Sequence, residues 1–192
     1  MKKVYKLLAS VSIAVLVATM GLTSSVQAAY TTLNMTITAG SVTYGSATSF
    51  TFSTTLSASF SAQTINQNFT GAANYFWVQD LKGADSGYNT TLQLSGNLTA
   101  WSNILSGSNV SFLAVGSITV VSGSTNPRVV LDAATAAYQA LNTSRNFIKR
   151  NNAANFGTIG YYAANINLKV DVPAGQAAGA YTGTLVYTLI EN

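Results

Sequence analysis

Asp80 and Asp85 stand five residues apart across Lys82-Gly83, and they are the only acids in the chain near enough in sequence to be read as a catalytic couple. Two carboxylates flanking a glycosidic bond can cleave it, and the oxygen-rich stretch Asp80 to Gly87 has some of the ligands that calcium takes. The plainer reading is a strand end followed by a turn, with the aspartates capping backbone amides. The further acids of a strong calcium loop are absent. Arg145, Lys149 and Arg150 form the one basic cluster, able to meet an anionic polymer or a membrane surface, or simply to solvate a loop. Tyr75, Phe76, Trp77 and Trp101 could stack on sugar rings, although aromatics at strand positions of a sandwich are mostly core. The chain has no histidine and no cysteine. That removes histidine acid–base chemistry, Ser-His-Asp and Cys-His nucleophiles, zinc sites built on either residue, and disulfide staples. We therefore expect no catalytic residue, no metal ligand, no cofactor and no enzyme.

The start of the chain reads as an export signal. Lys2, Lys3 and Lys6 precede an apolar stretch from Leu7 to Leu22, and Val26 and Ala28 occupy the −3 and −1 positions of a small-residue cleavage site. The apolar run falls short of the ~20 residues that cross a bilayer, so cleavage after Ala28 is expected in place of a retained anchor. The expected division is residues 1–28 as signal peptide and 29–192 as one secreted domain, not transmembrane after cleavage. In that domain six Lys and Arg face five Asp and Glu, a net charge of +1. A nucleic-acid binder would carry a clustered basic face, so no nucleic-acid partner is expected.

These side chains must be positioned by strands, because the dominant period is two. Leu33, Met35 and Ile37 alternate with polar residues, and Phe50, Phe52, Thr54, Leu56, Ala58 and Phe60 alternate with Ser and Thr. Further strands are expected at 75–81, 90–98, 110–121, 128–131, 161–172 and 181–190, with glycines between them. The fold class that follows is all-β, an antiparallel sandwich with Greek-key-like connections, a closed barrel being the alternative. Asp132 to Leu141 is alanine-rich behind a capping aspartate, which predicts one short helix or helical loop near 132–142. Residues 142–156 read as a long exposed connection.

Three pieces, in order, resemble the WxL-type domain of Gram-positive surface proteins. Thr38-Ala39-Gly40-Ser41-Val42 is similar to the strand that opens that domain. Val78-Gln79-Asp80-Leu81-Lys82-Gly83, followed by Gly87-Tyr88-Asn89-Thr90-Thr91-Leu92, resembles its V-x-D-x-R/K-G segment and the Gly-Trp-x-Leu beyond it. Gly179-Ala180-Tyr181-Thr182-Gly183-Thr184-Leu185, then Tyr187-Thr188-Leu189, resembles its closing G-x-Y-T-x-T-L and second Trp-x-Leu. Both signature tryptophans are replaced by tyrosine, and the first leucine stands further on, at Leu92.

The resemblance implies a non-catalytic module displayed on the cell surface and attached non-covalently to the wall. Candidate surface-binding residues are then Tyr88, Leu92, Tyr187 and Leu189 from the motifs, with Arg145, Lys149 and Arg150 from the basic cluster. The expected partner is wall polysaccharide, peptidoglycan or another surface protein. Possible self-association by strand addition at a sheet edge, as in a fibre or surface layer, is the alternative.

Overall fold

The computed structural model describes residues 35–83, 85–152 and 157–192. The chain divides into two units, Met1–Ile37 and Thr38–Asn192. The expected signal peptide and its cleavage site lie outside the described residues. Of the first unit, Met35 and Ile37 are about four-fifths exposed and belong to no strand. The alternation there does not make the expected element within the described residues.

The second unit is an antiparallel β-sandwich, as the period-two patterning predicts. One sheet joins β1 (Val42–Gly45), β3 (Phe76–Asp80), β11 (Gly160–Val172), β7 (Val110–Gly123) and β9 (Gln139–Ala140) in that order, with β2 (Gln63–Phe69) also on β11. The other runs β12 (Leu185–Glu191), β4 (Tyr88–Leu94), β10 (Arg145–Arg150), β8 (Val129–Leu131). A small hairpin, β5 (Leu98–Ala100) and β6 (Asn103–Leu105), stands beside them. Apart from that hairpin, successive strands from β3 to β12 alternate between the two sheets. β11 is the backbone of the first sheet: β3 pairs with its first half, β2 with its second, and β7 with its other edge along most of its length.

The two sheets meet over an apolar core that includes Phe76, Val78, Phe112, Tyr162 and Ile166 from the first sheet and Tyr88, Leu92, Phe147 and Ile148 from the second. Rings carry the junction. Phe147 meets Phe76 and Phe112 edge-on, at centroid distances of 5.6 and 5.7 Å, and Tyr187 meets Phe76 at 5.0 Å. Edge-to-face pairs of this kind add to simple area burial.

Two local expectations are corrected and one is narrowed. Residues 50–60 form no strand, although Phe50 and Phe52 do turn inward onto Phe69 and Phe76. There the Gln67 side chain accepts from both the N–H and the hydroxyl of Ser53, at 2.6 and 3.0 Å, so a side-chain clamp replaces a backbone ladder. Phe60, at the end of this run, is wholly exposed. The helix near 132–142 is a single 3₁₀ turn, Ala133–Ala136, capped by the Asp132 carboxylate accepting from Ala134 N–H. It stops because the chain is drawn into β9. Finally, residues 145–150 are not a loop. They form β10, where a bulge after Asn146 turns both Phe147 and Ile148 into the core.

The closing strand begins at Leu185, later than the expected 181, and keeps the period-two facing. Leu185, Tyr187 and Leu189 pack on the core, while Val186 and Ile190 are about half exposed. Leu92, with no exposed surface, faces Tyr187 across the β4–β12 ladder. Leu92→Ala should therefore cost ~2–5 kcal/mol, whereas the exposed Thr184→Ala should stay within about 0.5 kcal/mol. Urea denaturation of the two variants side by side checks this.

Candidate cell-wall-binding site

The residues singled out by the motifs are mostly interior. Tyr88 and Leu92 are fully buried, and Tyr187 and Leu189 are half-buried against the core. The two tyrosines at the signature-tryptophan positions thus serve as large rings between the sheets. Burial, reinforced by the Asp80 charge, raises the Tyr88 phenol well above its ordinary pKa, and burial does the same for Tyr187. Both stay neutral. Tyr88 and Leu92 thus present almost no side-chain surface to solvent. Gly87 is required for packing: a Cβ there would lie 2.5 Å from the Arg150 carbonyl oxygen.

The Asp80 carboxylate is engaged within the fold. One oxygen pairs with the Arg150 guanidinium and the other accepts from Lys82 N–H at 3.1 Å. Asp80 is 1 % exposed and Arg150 2 %. The pair ties β3 of one sheet to β10 of the other. Among the described residues no group of three or more acids gathers that could hold a metal ion.

The basic cluster is dispersed by the same geometry. Arg150 points inward, Arg145 donates its Nε–H to the Ala140 carbonyl at 3.0 Å, and Lys149 pairs with Asp132 at 3.1 Å. Each positive group of the cluster therefore has a partner close at hand. Successive strand residues face opposite ways, so Lys149 and Arg150 point apart.

What the surface does offer over β4 and β10 is a shallow, open depression. Asn89, Asn146, Asn151, Asn152 and Asn192 line it together with Tyr88, Asp132, Lys149 and Arg150. Asn89 donates its amide to the Asn146 Oδ1 at 2.6 Å, which fixes both carboxamides relative to one another. Carboxamides offer donors and acceptors together, which suits the vicinal hydroxyls of a saccharide better than a dense charge. Composition placed many asparagines in the chain, but nothing in their spacing announced this gathering. It arises because β10 pairs with β4 and the chain end returns beside them, Asn192 N–H donating to the Gly87 carbonyl at 3.1 Å.

The comparisons agree with the resemblance. The family described as "WxL domain surface cell wall-binding" matches residues 26–192. With that span the chain belongs to the WxL family, and it is a surface domain of the cell-wall-binding kind. No curated protein matches it closely enough to count as a relative. Among the described residues no helix is long and apolar enough to cross a membrane.

Two predictions follow from these ionic contacts. Arg150→Met leaves the Asp80 carboxylate buried without its partner and should cost ~3–5 kcal/mol, while the double variant Asp80→Leu, Arg150→Met should recover much of that loss. Chemical denaturation of the single and double variants measures it. Asp132 contributes to the acid behaviour. Burial raises its pKa, but the Ala134 N–H and Lys149 outweigh this and hold the carboxyl below its ordinary value of 3.8. A lowered folded pKa contributes stability above the unfolded value, lost as pH falls through the folded one. Asp132→Asn should lower the melting temperature at neutral pH and flatten its decline below about pH 4. Thermal scans across acidic pH read both effects.

Proposed function

We propose that this protein is exported, processed after Ala28, and held non-covalently at the cell wall as a non-enzymatic binding module. In this reading the asparagine-lined depression over β4 and β10 contacts wall polysaccharide. The single observation that carries it is the gathering of five carboxamides at one surface depression of a domain whose family binds the wall. Adhesion to another surface protein is the finer role that such display would serve. The charges of the depression are paired, Lys149 with Asp132 and Arg150 with Asp80, which favours a hydroxyl-rich ligand over a polyanion.

A second reading has its own support. β12 lies at the edge of its sheet, carries no charge until Glu191, and exposes about half of Val186 and Ile190. Long apolar edges are where another strand adds, so self-association into a fibre or layer is the alternative.

The test uses the chain from Ala29 onward. It should pellet with purified peptidoglycan-containing wall, and Asn89→Ala together with Asn146→Ala should weaken pelleting several-fold without changing the melting temperature by more than a few degrees. Protein recovered from the native wall should begin at Ala29. Filaments in electron microscopy, with no wall pelleting, would establish the second reading instead.

A further inference from the structure

Trp101 breaks two rules at once. It is 94 % exposed, and it is the one non-glycine residue with positive φ, at 52°, among the described residues. It sits first in the two-residue turn that joins Ala100 of β5 to Asn103 of β6. Hairpin turns with positive φ at that place take glycine by preference, and a bulky side chain there is strained. An exposed indole on a strained backbone does nothing for folding. Such outliers persist where the surroundings hold them and a function uses them.

The surroundings do hold this hairpin. Thr99 exchanges both backbone hydrogen bonds with Thr182, at 2.9 and 3.0 Å. Gln176 donates its side-chain amide to the Ile104 carbonyl at 3.1 Å and to the Tyr181 hydroxyl at 2.6 Å. The Tyr181 hydroxyl in turn donates to the Ala177 carbonyl at 2.8 Å. Gly179 passes so close that a Cβ there would lie 2.7 Å from that of Ala100. The closing Gly-Ala-Tyr-Thr segment is thus the brace of the Trp101 hairpin.

The braced face has a definite chemistry. Thr99 and Thr182 stand opposite one another and are exposed, Ile104 is exposed beside Thr99, and Trp101 stands at the tip. No charged residue lies between Asp85 and Arg128, or between Asp171 and Glu191, so neither segment that builds this face carries charge. A rigid indole beside paired hydroxyls, without charge, matches a ligand with one apolar face and a rim of hydroxyls. That is a pyranose ring. An anionic polymer or headgroup would find no cation here.

We infer that the Trp101 hairpin is a second saccharide-binding site, separate from the asparagine-lined depression, which stacks an uncharged pyranose of a glycan strand on the indole. Its ligand class rests on the wall-binding reading, but its test does not.

The chain has two tryptophans, and Trp77 is half-buried against Tyr161. Red-edge emission therefore reports Trp101. Titrating the chain from Ala29 onward with an uncharged β-1,4-linked N-acetylglucosamine oligomer, and with wall glycan stripped of anionic polymers, should shift that emission to the blue and shield it from iodide. Trp101→Asn should abolish the response and weaken affinity for the glycan at least about tenfold, yet keep or raise the melting temperature, because asparagine tolerates positive φ. Trp101→Tyr should retain part of the binding. No shift with either glycan, or a shift only with neutral lipid vesicles, would overturn the inference. Wall pelleting measured in parallel separates the two claims: wild-type pelleting that Trp101→Asn leaves intact, with no fluorescence response, removes this site and leaves the wall-binding reading standing.

Discussion

The contact on which the rest depends is the meeting of Phe76 and Phe147 across the two sheets, a T-shaped pair at 5.6 Å. Phe76 also takes Phe50 in a stacked pair at 5.4 Å and Tyr187 at 5.0 Å, so one ring gathers the early loop, the first sheet, and the second sheet from both β10 and β12. A chain with 7 % charged residues and no cysteine has neither ion-pair networks nor disulfides to rely on. Its stability must come from apolar burial, and burial needs the two faces to interdigitate at close density. The bulge in β10 matters for this reason. It turns two successive residues inward where a regular strand would turn one.

Against this apolar background the Asp80–Arg150 pair has a different task. Pairs of this kind contribute little net stability compared with apolar replacements, but they penalise any arrangement that separates the partners. β3 and β10 belong to different sheets and carry one partner each, so a shift of one sheet over the other would strand both charges in the interior. The V-x-D-x-K-G segment is then a structural clamp, and Gly87 just beyond it admits the chain that carries Arg150. The motif residues shared with the family are explained by packing, while the surface chemistry is left to side chains outside the motifs.

That division separates the surfaces to which we assign binding from the parts that hold the fold. The core motif at the chain's end pairs β12 with β4, and the residues immediately before it brace the β5–β6 hairpin through Thr182, Tyr181 and Gly179. One closing segment therefore finishes the sandwich and fixes the orientation of an exposed indole. In the depression over β10 the charges are paired, Lys149 with Asp132 and Arg150 with Asp80, whereas the hairpin tip carries none by composition.

The sequence by itself determined the class of fold and the family. Period-two alternation fixes which side chains share a face, and it placed β3, β7, β8 and β11 within a residue or two of where they lie. It also gave the inward facing of Leu185, Tyr187 and Leu189. It was silent on β2, whose Gln-Thr-Ile-Asn-Gln-Asn-Phe run has few strand-forming residues and is held by the long edge of β11. Tertiary structure alone decided that residues 50–60 dock without a ladder, that 145–150 form a buried strand, and that three nearby cations disperse to three partners. It also decided that Trp101 faces outward while Tyr88 faces inward. The reason is physical. Local patterning records which residues prefer to be buried, whereas pairing between distant segments decides whether a partner is there to bury them.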